Sequence, residues 1–221
     1  MNLIYIFLLI FLYSFLGYIV EMIFCLIVDK ELTNRGYLIG PLCPIYGIGA
    51  TLIYLLLNNL KEHPIIIFFL SMCICFIVEY LASFLLEKIF YKNKWWDYSN
   101  MKFNINGRVY IPYCIAFGIF GVLVVSVINP LFTKLINYFH NYLNLISLII
   151  LILFIIDFTY STYINLNLKK YLKNKNIPKD LKNYLKNHKT TTKLYTRIIK
   201  SFSNLKTSYK NILKILTSIR K

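Results

Sequence analysis

Acid is what this sequence has least of: nine Asp and Glu stand against 25 Lys and Arg in 221 residues. Metal-ligating residues are also sparse. His63, His140 and His188 are scattered, so no zinc or haem pattern emerges. Cys25, Cys73, Cys75 and Cys114 fall in apolar runs and Cys43 at the start of one, where free Cys behaves as a small hydrophobe. Cys73 and Cys75 would point to different sides of a helix, which argues against a paired metal site, and no disulfide is expected. No Gly-x-x-x-x-Gly-Lys-[Ser/Thr] run occurs, so this chain has no phosphate-cradling loop and ATP hydrolysis would need another chain. His-Glu-x-x-His and a convincing Ser/His/Asp set are missing too. Neither a catalytic residue nor a cofactor is expected.

Apolar residues fill the space that charge leaves. They make up 58% of the chain, with a mean hydropathy of +0.59, well above a soluble domain. The runs 3–28, 65–86 and 145–156 hold only two charges between them. A membrane crossing takes about 20 mostly apolar residues. The pattern predicts an all-α polytopic membrane protein with five spans, at 3–28, 44–60, 64–88, 110–128 and 145–166. The transmembrane domain is then 1–166 and a basic tail 167–221. The first run has no basic leader and no small-residue cleavage site after it, and reads as a retained helix. With the N-terminus outside, 23 of the 25 basic residues lie in cytoplasmic loops or the tail, and only Lys61 and Lys134 outside. The positive-inside rule thus sets the N-terminus out and the C-terminus in, in a bacterial cytoplasmic membrane.

Two of the scarce acids sit inside predicted spans, in words that resemble one another. Gly17-Tyr18-Ile19-Val20-Glu21 precedes Asp29-Lys30, and Cys75-Phe76-Ile77-Val78-Glu79 precedes Glu87-Lys88. In each, an acid-Lys pair stands eight positions after the Glu. Each is followed by a polar loop with Asn, Gly and Arg, then by a Gly-containing apolar helix. This predicts a parallel internal repeat, residues 3–60 and 64–128, related by an axis along the membrane normal. A carboxylate at bilayer depth is costly and marks a functional site by default.

The first loop, Asn34-Arg35-Gly36-Tyr37-Leu38-Ile39-Gly40-Pro41-Leu42-Cys43, is too rich in Gly and Pro for helix before Pro44, yet largely apolar. Two readings fit. The loop re-enters the membrane and lines a pocket, or it is a tight connection with Gly47 and Gly49 allowing close helix packing. The second loop, with Trp95-Trp96-Asp97-Tyr98-Ser99 and Phe103-Asn104-Ile105-Asn106-Gly107-Arg108, carries interfacial aromatics. Its Arg108 suits a buried Glu or an anionic ligand. The candidate binding pocket is Glu21, Arg35, Glu79 and Arg108, oriented by Asn34, Asp97 and Asn104, with at least one Glu–Arg contact expected. Asp157 in the fifth span is a hydrogen-bonded acid between helices or, on a second reading, a proton- or ion-coupling group.

The stretches Asn-Arg-Gly-x-Leu-x-Gly-Pro-x-Cys-Pro-Ile-Tyr-Gly-x-Gly-Ala, Trp-Trp-Asp-Tyr-Ser and Phe-Asn-x-x-Gly-Arg resemble the signatures of the ABC-transporter type IV membrane family, called CmpB-like. The resemblance covers about residues 1–130. It departs at Phe117, where the family pattern has Trp. It implies a permease component. The alternatives read from the residues are a non-transporting scaffold or regulator with a static Glu/Arg network and, more weakly, an enzyme acting on lipid headgroups.

After residue 166 the chain carries 16 Lys and Arg against Asp180 alone. Apolar residues from Leu194 to Ile219 recur at three- and four-residue steps, predicting an amphipathic helix over 191–220. An ordered apolar face favours the anionic inner leaflet or a partner helix over nucleic acid. The expected partners are membrane lipid, a separate ATPase subunit and a second copy of the chain.

Overall fold

The fold is seen in a computed structural model, which describes residues 2–30, 34, 36–89, 96–173 and 194–197. It is helical: α1 (Leu3–Asp29), α2 (Pro44–Leu57, extended by a 3-10 turn to Leu60), α3 (Pro64–Ile89), α4 (Ile111–Leu123), α5 (Asn129–Tyr138) and α6 (Leu143–Lys173). Among the described residues, four helical stretches are long and apolar enough to cross a membrane, Leu3–Ile27, Pro64–Ile89, Ile111–Tyr138 and His140–Asn167. The expected span at 44–60 is a shorter apolar helix. Its 14 α-helical residues reach about 21 Å, short of the ~30 Å hydrocarbon core.

Cys43 N–H donates to the Ser14 carbonyl at 2.9 Å, so α2 starts halfway along α1 rather than at its end. Residues 36–43 therefore run back into the bundle from the end of α1, and α2 completes the return. The loop thus packs against the bundle rather than projecting from it. Gly47 also packs where the second reading put it, with Ser14 Oγ and the Ile10 carbonyl in the space a Cβ would need.

The fourth helix runs past its predicted end at 128. Pro130 has no N–H and crowds the carbonyl four residues back. A π turn at Val124–Ile128 widens the register just before it, and α4 passes through that turn into α5 without a break. Tyr5 bonds Thr133 (2.7 Å) and Tyr13 bonds Asn129 (3.1 Å), tying the start of α1 to α5. The core of Leu8, Leu9, Tyr13, Ile53, Leu57, Ile67, Val124, Val125 and Ile136 fills this end. The polar residues collect at the other, where α1 and α3 end and α4 begins.

The connection before α4 is a hairpin. Strands β1 (Asn104–Ile105) and β2 (Val109–Tyr110) pair antiparallel. Asn106 and Gly107 both have positive φ (53° and 67°), and Arg108 N–H closes the turn on Ile105 at 2.9 Å. Asn-Gly is the favoured pair for such a two-residue turn. Of the predicted amphipathic tail helix, only the helical turn 194–197 falls within the described residues, with Tyr195 and Thr196 buried.

Candidate functional site

Glu21 and Glu79 are brought to one region by four helices. Glu21 lies two turns before the end of α1 and accepts a 2.8 Å hydrogen bond from Tyr46, in the first turn of α2. Gly17, one turn earlier, makes this possible, because the Tyr46 side chain fills the place of a Cβ there. Glu79 on α3 is only 7% exposed. Its Tyr partner, Tyr98, comes from the second loop. Tyr98 N–H is bonded to the Gly107 carbonyl at 2.9 Å, which fixes its side chain beside the Glu79 carboxylate. Each carboxylate lies within the other's field, and Tyr98 feels both. Burial, then Glu79, pushes the Tyr98 hydroxyl well above the usual phenol range, so it stays a donor.

Rings pack around the two tyrosines. Tyr113 meets Tyr98 edge-on at 5.7 Å and Phe24 of α1 at 5.8 Å, joining α4 to α1. Phe117 of α4 meets Tyr46 edge-on at 6.3 Å, packing α4 against α2. Glu79 Oε2 has no hydrogen-bond partner among the described residues.

Of the other predicted pocket residues, Arg108, Asn34, Asp97 and Asn104 make the following contacts. Arg108 does not reach Glu21 or Glu79. It forms an ion pair with Glu87 at 2.6 Å, its guanidinium over the rings of Tyr80 and Phe84 (5.5 Å each). The hairpin sets this choice. Trp96 Nε1 holds the Arg108 carbonyl at 2.8 Å, at the level of the last turns of α3. Glu79 lies about 12 Å deeper along the helix, at a greater desolvation cost for a cation. Asn34, Asp97 and Asn104 serve their own loops. Asn34 accepts from Gly36 N–H (2.7 Å), Asp97 from Ser99 N–H (3.0 Å) and Asn104 from Gly107 N–H (2.8 Å). Arg35 lies outside the described residues.

Asp157 holds the first loop. Its carboxylate accepts from Ile39 N–H (3.2 Å), Gly40 N–H (3.1 Å) and Ser161 Oγ (3.0 Å). Ser161 Oγ also accepts from Ile39 N–H at 2.9 Å. Next along the same face of α6, Thr162 bonds Tyr37 (2.8 Å) and Asn165 donates to the Tyr37 carbonyl (3.4 Å). Backbone groups at membrane depth must be satisfied by protein, and α6 does so for this loop. From the tail, Arg197 donates to the Leu38 carbonyl at 3.4 Å.

The partner choice of Arg108 predicts a double-mutant cycle. Arg108→Ala should cost about 1–3 kcal/mol of stability, less than a fully buried pair because both side chains keep some exposure. Glu87→Gln should lose most of its own effect in the Arg108→Ala background, and Glu79→Gln should add to it, by thermal melting in detergent. Coupling to Glu79 and additivity with Glu87 would reverse the assignment.

Helices long and apolar enough to cross a membrane, packed into one bundle, fit a polytopic helical membrane protein. The family model described as "Putative ABC-transporter type IV" matches residues 8–162, and the chain belongs to that family. The match runs past the expected limit near 130 and takes in Asp157 and Ser161 of α6. No curated protein and no solved structure matches the chain.

Proposed function

We propose that the chain is the membrane-embedded permease component of a transporter, with ATP hydrolysis supplied by a separate subunit. The observation that carries this is the convergence of Glu21 and Glu79, with Tyr46 and Tyr98, in a bundle that gives them no cation among the described residues. A purely structural acid in lipid is normally paired or fully hydrogen-bonded. The chain crosses five times, the second crossing made by residues 36–43 together with α2. The repeat is one of helix order. Its first loop re-enters and its second stays at the membrane surface, so Glu21 and Glu79 receive their tyrosines from different elements. The basic loops and tail face the cytoplasm, which puts the Glu pair in the inner half of the bilayer.

A second reading has its own support. Asp157, Arg108, Asn34, Asp97 and Asn104 all fix loops in place, as a scaffold or regulator would require. Isolation of the full chain from its own membranes separates the two. A permease should bring ATP-hydrolysing activity with it, and the Glu21→Gln, Glu79→Gln double variant should change the turnover of that activity by about tenfold without loosening the complex. A chain that carries no ATPase, and whose double variant melts differently but behaves as wild type otherwise, is the scaffold.

A further inference from the structure

We propose, building on the permease reading, that the Glu21–Glu79 site takes an organic ammonium ion bearing at least one N–H, held between the carboxylates and the rings around them. Four observations converge on this ligand. Glu79 Oε2 is a buried acceptor that no described donor reaches. A buried acceptor without a donor is unfavourable until one arrives. The nearest cation of the second loop, Arg108, is committed to Glu87, so the site's negative charge is not neutralised from there. Tyr46 already donates to Glu21 and Tyr98 faces Glu79, so a newcomer must bring its own N–H.

The walls favour an organic ion over a metal. Tyr46 and Tyr98, the tyrosines beside the two carboxylates, pack edge-on against Phe117 and Tyr113, so the site is lined with aromatic rings. An ammonium over an aromatic face is attracted by the ring quadrupole, and more so where water is excluded. Hard divalent ions seek six or more oxygens. Among the described residues no three His, Cys, Asp or Glu converge as metal ligands.

The test uses the purified full-length chain in detergent and benzylammonium chloride as probe. Sodium chloride supplies charge alone, benzyl alcohol the ring alone, and tetramethylammonium a cation without N–H. Benzylammonium should raise the melting temperature saturably, because a ligand of the folded state stabilises it by mass action. The first two controls should not. Tetramethylammonium should need roughly tenfold more to reach half-saturation, and Glu79→Gln should weaken benzylammonium by a similar factor of about 10, the range of one hydrogen bond to a charged group. Tyr98→Phe, which keeps the ring, should weaken it less. Titration calorimetry on the same samples reads binding directly if a variant melts too early to compare. Equal shifts from sodium chloride or benzyl alcohol, equal binding of tetramethylammonium, or undiminished binding by Glu79→Gln each overturn the proposal. If benzylammonium fails to bind while the double Gln variant still alters ATP turnover, the ligand class falls and the permease reading stands. If turnover is also unchanged, both fall.

Discussion

Asp157→Ala should be among the most destabilising single substitutions in the membrane domain, lowering stability by about 2–4 kcal/mol in detergent. The figure follows from what it leaves behind. Ile39 and Gly40 would keep backbone N–H groups at depth with no carboxylate to accept them, and Ser161 would lose its acceptor. An orphaned buried donor costs about 1–3 kcal/mol, and the two losses overlap because Ser161 Oγ still receives Ile39. Asp157→Asn keeps one acceptor oxygen and should cost less, about 1–2 kcal/mol. Gly40→Ala attacks the same contact from the other side, since an added methyl would lie 2.7 Å from Asp157 Oδ2. The measurements are thermal melting and limited proteolysis within residues 36–43, which should become cleavable as the loop lets go. This also separates the two roles read for Asp157. A coupling group should tolerate Asn in stability and lose function, whereas a loop anchor should lose stability in the order Ala, then Asn. Wild-type melting and wild-type protease resistance in Asp157→Ala would remove the anchor role.

The long helices were legible because their apolar runs exceed what any soluble core needs, and Glu21 and Glu79 because charge inside such a run is so costly. Other features were hidden for physical reasons. Nineteen Tyr and 17 Phe give no hint which rings meet a carboxylate. Tyr46 is singled out only by the room Gly17 leaves, and Tyr98 only by the hairpin that carries it to Glu79. A signal for that hairpin was present in Asn106-Gly107, read as loop composition rather than as a turn whose two positive φ angles reverse the chain. The Arg108 pairing was ambiguous because Glu79 and Glu87 lie on one helix, and only the depth of the hairpin decides between them. The anchor role of Asp157 was out of reach, because it depends on a contact between residues more than 100 positions apart.

The close helix contacts give the second large effect and a contrast that tests it. At Gly47, a Cβ would meet both the Ser14 hydroxyl and the Ile10 carbonyl. At Gly121, the crowding atoms are the Ser71 side chain, with Ile53 Cδ1 at a comfortable 3.6 Å. Both Ala substitutions should therefore destabilise, by about 2–3 kcal/mol, since overpacking a tight contact forces elements apart. Compensation should differ. Ser71→Gly removes the atoms in the way of Gly121→Ala, so the double variant should recover most of the loss. Ser14→Gly leaves the Ile10 carbonyl in place, and backbone cannot rotate aside as a side chain can, so Gly47→Ala should stay impaired. Moving α2 away from α1 would also draw Tyr46 off Glu21, because Tyr46 and Gly47 are adjacent on α2. Gly47→Ala should thus weaken benzylammonium binding along with stability, while Gly121→Ala, Ser71→Gly should restore both. Equal rescue at the two positions would mean that α2 is free to slide along α1, and that the mid-depth start of α2 does not fix the Glu21 site.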